Sequence, residues 1–251
     1  MYNLLLRLGF SEETLNNLAY RLSDGNTRQF ENYVQHMRRI LTTETINTLF
    51  MVAWASLFAI IAGIIVGLFL YITDKDGINP MPIPNRIVGL IVNIGRSIPF
   101  VVLIILVFPL ARHIVGRSIG REAAIVPLTI AAIPFMSRVV EATLKELGTG
   151  IIEAAIAAGA TTRQIIFRVI LPESAPGLVA GFTLLIINLI TFSAMAGVLG
   201  SGGLGAIANS YGMQRHRTDV LVYTVIILVI IVQIVQALGQ FISRKLDKRR
   251  T

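Results

Sequence analysis

The residues that could do chemistry in this 251-residue chain fall into three groups, and spacing disposes of two of them. His36, His113 and His216 lie far apart in polar segments and cysteine is absent, so neither a metal site nor a thiolate nucleophile nor a disulfide can be assembled. Residues 200–205, Gly-Ser-Gly-Gly-Leu-Gly, satisfy the G-x-G-x-x-G spacing that cradles a dinucleotide pyrophosphate. They follow an apolar run of membrane length rather than a strand, and no Gly-Lys pair exists to make a phosphate loop. No Ser/His/Asp set and no carboxylate pair shares a face, so the expectation is no catalytic residue and no cofactor or metal in the chain.

The third group is Glu153-Ala154-Ala155, Gly159, Val169 and Leu171-Pro172, and its chemistry is recognition. The run from Ile151 to Ala158 is rich in Ala and Ile with one carboxylate, a short helix whose small side chains let another surface approach closely. Gly159 supplies the left-handed position that ends such helices. Thr161 caps a second helix, Gln164 completes the reciprocal capping box, and Pro172 stops that helix at Leu171. A helix-turn-helix with so little apolar material requires a partner to dock on.

The elements that position this island are membrane spans. Mean hydropathy is +0.73, with 54% hydrophobic and 14% charged residues, against about 25% charged in soluble proteins. The fold class is all-α, an integral membrane helical bundle of five transmembrane helices. The net charge of +8 suits anionic lipid headgroups and a basic tail, Arg244-Lys245 and Lys248-Arg249-Arg250. Nucleic-acid binding is excluded by the lack of a basic cluster interleaved with aromatics.

Residues 1–43 form an N-terminal amphipathic extension, and residues 44–251 a membrane domain with a cytosolic coupling loop at 150–172. In the extension, Leu15, Leu18, Ala19 and Leu22 repeat at helical spacing after Ser11, and Phe30, Tyr33, Val34, Met37 and Leu41 do so after Thr27. Two amphipathic helices hinged near Asp24-Gly25 are expected, lying on the membrane interface or against the bundle. Span one lies within Thr45 to Thr73, with Ala55, Ala59, Gly63 and Gly67 as a small-residue ladder for close packing.

Arg96 interrupts the next apolar stretch. At mid-membrane it would be functional by default; the cheaper arrangement sets it at the headgroups, with Ile87 to Gly95 interfacial and span two starting near Ser97. Span three covers Glu122 to Val140 and holds Pro127 and Pro134, which kink the helix and point to a pathway lining. Span four runs from Pro176 to about Gly197 and ends at the glycine run; span five is Val220 to Ser243. No acidic residue falls inside these spans, so no ion-coupling site is visible and energy enters from outside the chain.

The third group resembles the Glu-Ala-Ala loop of the membrane subunits of bacterial ATP-binding-cassette importers, with Val169 where that family usually has Ile. From residue 42 onward, Arg96-Ser97-Ile98-Pro99-Phe100, Ala124 to Thr129, Phe192 to Gly197, Gly202 to Gly205 and Tyr211-Gly212 look like the methionine-importer permease family. That resemblance implies a type I importer permease in the bacterial inner membrane, a homodimer with two ATPase subunits that bind the ATP and Mg. It also implies an extracytoplasmic methionine-binding protein, often a lipoprotein. Glu153, Ala154, Ala155, Gly159, Leu171 and Pro172 would couple to the ATPase, placing loop 150–172 and the C-terminal tail inside. Met195, with Ser193, Pro127 and Pro134, would form the substrate gate and pathway, Met195 meeting its own copy at the dimer axis; packing filler is the other reading of Met195. A permease for another amino acid, a short peptide or a metal chelate would keep the same docking loop.

Overall fold

The structure, a computed structural model, describes residues 27–247, and all regular structure among them is helical. Helix α1 runs unbroken from Thr27–Thr73. Separate helices around residue 43 were expected from the amphipathic spacing, but no proline or glycine interrupts residues 27–62. Thr42 also turns its hydroxyl back to donate to the Arg38 carbonyl at 2.8 Å instead of capping a new helix. The chain divides into two units, Met1–Glu44 and Thr45–Thr251. The helix expected around Leu15 to Leu22 and the hinge at Asp24-Gly25 lie outside the described residues, as do Lys248 to Arg250.

The small-residue ladder on α1 packs as its spacing predicts. Ala55 and Ala59 are fully buried, and a methyl added at Gly63 would fall 2.5 Å from the Met136 side chain, one at Gly67 2.7 Å from the Ser137 carbonyl. Close backbone approach of this kind is the usual adhesive of membrane helices, since apolar burial against lipid gains nothing.

Helices α2 (Pro82–Ser97) and α3 (Phe100–Val115) meet at an angle of 109°. The break follows from Pro99, which drives Ile98 out of the helical region to φ −80°, ψ 122°. Asn85 staples the start of α2 to the end of α1 by donating to the Leu70 carbonyl at 2.7 Å and the Thr73 hydroxyl at 2.9 Å. Helix α4 (Arg121–Lys145) carries the fully buried Leu128, Met136, Val140 and Leu144. After it come α5 (Thr149–Ala157) and α6 (Thr162–Gln164), which runs through a π-helical turn at Ile165–Ile170 into α7 (Leu171–Ala196).

A second π turn, Gly197–Ser201, follows α7, and the helical backbone breaks within it at Gly200, whose φ is +96°. The short α8 (Leu204–Ile207) then folds back, its first N–H donating to the buried Thr48 hydroxyl at 2.9 Å. Helix α9 (Thr218–Leu246) completes the described chain. Among the described residues four helical stretches are long and apolar enough to cross a membrane, and the bent pair α2 and α3 makes the fifth crossing when counted as one.

Three expectations require correction. Pro172 does not stop the second helix of the docking loop: the helical backbone runs on continuously over residues 162–199. The π turn just before Pro172 opens the ladder, the Leu171 N–H reaching back to the Ile166 carbonyl, and so absorbs the missing donor and the ring clash that would break an α-helix. Arg96, in the last turn of α2, does not lie level with either end of α4. Gly95 nests against Pro134, and Arg96 shares a cleft with Ala131 and Phe135, near the middle of the 25-residue α4. Finally, a carboxylate does occupy a span: α4 continues past Val140, and Glu141 is 7% exposed within it.

Candidate functional site

The site is the helical hairpin between α4 and α7. Its first arm, α5, has one face inward, where Ile152 and Ala155 pack on the core, and one outward, where Glu153, Ala154 and Ala157 are exposed and Ile156 is 54% exposed. The helix closes in a double-bonded turn: Ala160 N–H donates to the Ala155 carbonyl at 3.0 Å, and Gly159 N–H to the Ile156 carbonyl at 2.9 Å. These are the two bonds of the Schellman ending, which requires its C′ residue in the left-handed region. Gly159 holds that position with φ +77°. A methyl there would touch nothing within 4 Å, so conformation rather than space selects glycine.

The second arm begins at once. Thr161 N–H donates to the Gln164 side-chain oxygen at 2.8 Å, and Gln164 N–H donates to the Thr161 hydroxyl at 3.4 Å, the reciprocal capping box expected from the sequence. Ending one helix and capping the next within a few residues leaves the turn little freedom. Beside it Thr161, Arg163, Gln164, Phe167 and Arg168 line an open cleft of about 430 Å³. Phe167 is 61% exposed, an aromatic left uncovered on a polar arm. Leu171 packs against the core and Pro172 is exposed.

Behind the hairpin lies an ionic network that the span boundaries had hidden. Glu141 accepts from Arg138 at 2.6 Å and from Lys145 at 2.9 Å, and Lys145 reaches Asp74, at the end of α1, at 2.6 Å. Arg138 also donates to the Gly89 carbonyl at 3.1 Å and to Asn93 at 2.9 Å on α2. The Lys145 ammonium holds the Asp74 carboxyl below the usual carboxylate range. The i, i+3 and i, i+4 spacing of Arg138, Glu141 and Lys145 was the legible signal. The network ties α1, α2 and α4 together at the end from which the hairpin leaves.

The residues expected in a pathway are spread along the bundle. Met195 is 40% exposed on α7, two residues before Gly197, where the second π turn begins. Ser193 is buried, its hydroxyl donating to the Ile190 carbonyl at 2.7 Å. Pro127 is buried in α4, and Pro134 is half-buried with its ring against Gly95. Met195 and the hairpin therefore share one helical rod, about 45 Å apart along it at 1.5 Å per residue from Gln164.

A family model described as a binding-protein-dependent transport system inner membrane component matches residues 59–251. The chain belongs to this family. The permease is thus a multi-pass inner-membrane subunit of a transport system and not itself an enzyme. It is 45% identical over 211 residues to the probable D-methionine transport system permease protein MetI of Vibrio cholerae, covering 84% of this chain and 93% of that one. It is 42% identical over 180 residues to the methionine import system permease protein MetP of Bacillus subtilis, covering 72% and 81%. Among solved structures, a chain of the MetNI methionine ABC transporter in an inward-facing conformation superposes with a TM-score of 0.83 at 43% identity, over 84% of this permease and 98% of that chain.

Proposed function

We propose that the permease moves methionine inward across the bacterial inner membrane as half of a homodimer. In this reading two ATP-binding-cassette subunits hold the ATP and Mg, and an extracytoplasmic methionine-binding protein, with or without a lipid anchor, delivers the substrate. The observation that carries it is the helical backbone continuous over residues 162–199, which makes the docking hairpin and the helix bearing Met195 one mechanical part. Its relatives carry the methionine assignment.

The hairpin suits a coupling element. Glu153, Ala154 and Ile156 offer an exposed face of one carboxylate and small or apolar side chains, and Gly159 with the Thr161 cap holds the two arms at a set angle. A push on α5 is then delivered to α6 and along the rod as a rigid-body displacement rather than lost in a hinge. At the other end of the rod Met195 would meet its counterpart in the second protomer. Two thioethers make an apolar closure whose contacts are weak and adaptable, and so easily parted. Residues 1–43 in this reading are an amphipathic extension outside the transport domain of residues 44–251.

Reconstitution of the permease with its ATPase and binding protein tests the whole. Uptake of labelled methionine that requires both partners and ATP supports it. Uptake of another solute, with methionine left outside, would replace the substrate.

A further inference from the structure

Arg96 and Asn188 line the same cleft, a space of about 220 Å³ walled otherwise by side chains such as Ile98, Phe100, Ala131, Phe135, Leu189 and Phe192. Phe100 and Phe192 stack with centroids 4.6 Å apart and planes 7° from parallel, a stiff apolar flank. Ala131 and Phe135 stand mid-way along α4, and Asn188 lies well inside α7, so the cleft sits at the depth of the middle of the bundle. Among the described residues, neither Arg96 nor Asn188 has a side-chain hydrogen-bond or ion-pair partner. Arg138, on the same helix as Ala131 and Phe135, contrasts sharply: its guanidinium is committed to Glu141, Asn93 and Gly89.

Arg96 is exposed at this largely apolar cleft and meets no counter-charge there, and an arginine so placed within a membrane bundle marks the route of an anion or polar substrate. The cleft is smaller than the roughly 300–1,000 Å³ of drug-sized sites, which suits a molecule of amino-acid size. Its lining presents a cation, an amide that can both donate and accept, and an apolar wall.

We propose that this cleft is a transient binding site for the transported amino acid within the permease. Arg96 takes the carboxylate through paired N–H donors, the Asn188 amide oxygen accepts from the ammonium group, and Ala131, Phe135 and Phe192 receive the unbranched apolar side chain. The proposal rests on the reading of the chain as an amino-acid permease and deepens it. Only one charge is met by an opposite charge, so binding is weak enough for release, as a transport site requires.

The cysteine-free sequence makes the test clean. Ile98→Cys, at a lining position that makes none of the proposed contacts, is assembled with the partner ATPase in phosphatidylcholine nanodiscs, and its thiol is modified by an anionic and by a cationic methanethiosulfonate reagent. The anionic reagent should react faster, and L-methionine at about nine times its dissociation constant should slow it about tenfold, since only the unoccupied site reacts. Methioninamide, which lacks the carboxylate, should not protect, and adding Arg96→Gln should remove both the protection and the reagent preference. If Ile98→Cys fails to assemble, Ala132→Cys on the facing wall reports the same space.

Equal rates for the two reagents, or no slowing by methionine, would overturn the proposal. So would protection by phosphatidylglycerol and not by methionine, which would assign Arg96 to a lipid headgroup. Methionine uptake by the unaltered permease is measured in parallel. Uptake without thiol protection removes the cleft and leaves the methionine reading, whereas protection without uptake does the reverse.

Discussion

Ala160 donates its backbone N–H to the carbonyl of Ala155 across 3.0 Å, and the chain can make that bond only because Gly159 between them turns left-handed. For a β-branched residue the left-handed region costs roughly 1–2 kcal/mol. Gly159→Val should therefore open the hairpin while leaving the spans folded. We expect methionine uptake and co-purification with the ATPase to fall together at normal membrane insertion, and Gly159→Asn to retain most of both. Normal uptake and normal co-purification in the Val variant would show that the hairpin does not dock.

The capping box predicts a milder loss. Removing the Thr161 hydroxyl leaves the Gln164 N–H without its partner, worth about 1 kcal/mol. In Thr161→Ala the amides of Arg163 and Gln164 should exchange with deuterium several-fold faster while those of α9 are unchanged. Uniform exchange across both would mean the cap contributes nothing local.

The ionic network separates a buried pair from an exposed one. Glu141→Leu strands Arg138 inside the bundle and should cost about 3 kcal/mol, seen as a lower melting temperature in detergent. Asp74→Ala removes a partly exposed partner and should cost less than about 1 kcal/mol. Because the folded state holds the Asp74 carboxyl below its usual range, its contribution is complete at neutral pH. It is lost only as the pH falls through that lowered value. Acid sensitivity from this tether should disappear in Asp74→Asn; an unchanged acid profile would assign it elsewhere.

Met195→Ala should leave assembly intact but shorten the closure at the end of α7, so that ATP hydrolysis rises relative to uptake. Met195→Cys should cross-link between protomers in at least one nucleotide state. If no nucleotide state gives a cross-link and the Ala variant couples normally, Met195 is packing.

Orientation follows from the docking hairpin. An impermeant maleimide should label Arg215→Cys from outside intact cells and Gln164→Cys only after permeabilisation. Labelling of both from one side would break the five-crossing topology, because α7 alone separates them.

The features read correctly from sequence are local ones. The capping box of Thr161 and Gln164, the left-handed Gly159 and the charge-free runs of the spans are written in neighbouring residues, and short-range sterics and hydrogen bonding decide them before any packing occurs. Tertiary structure decided what those signals leave open. A proline usually ends a helix, but at Pro172 the bundle holds a π turn that carries the helix on into the membrane. Arg96 looked like a headgroup residue because hydropathy registers only the order of residues along the chain. The break before Pro99 and the nesting of Gly95 on Pro134 set its depth, and both depend on where α2 packs against α4. Glu141 is likewise tolerated among apolar neighbours because Arg138 and Lys145 on its own helix satisfy it and Asp74 on another completes the network, a balance that only folded distances reveal.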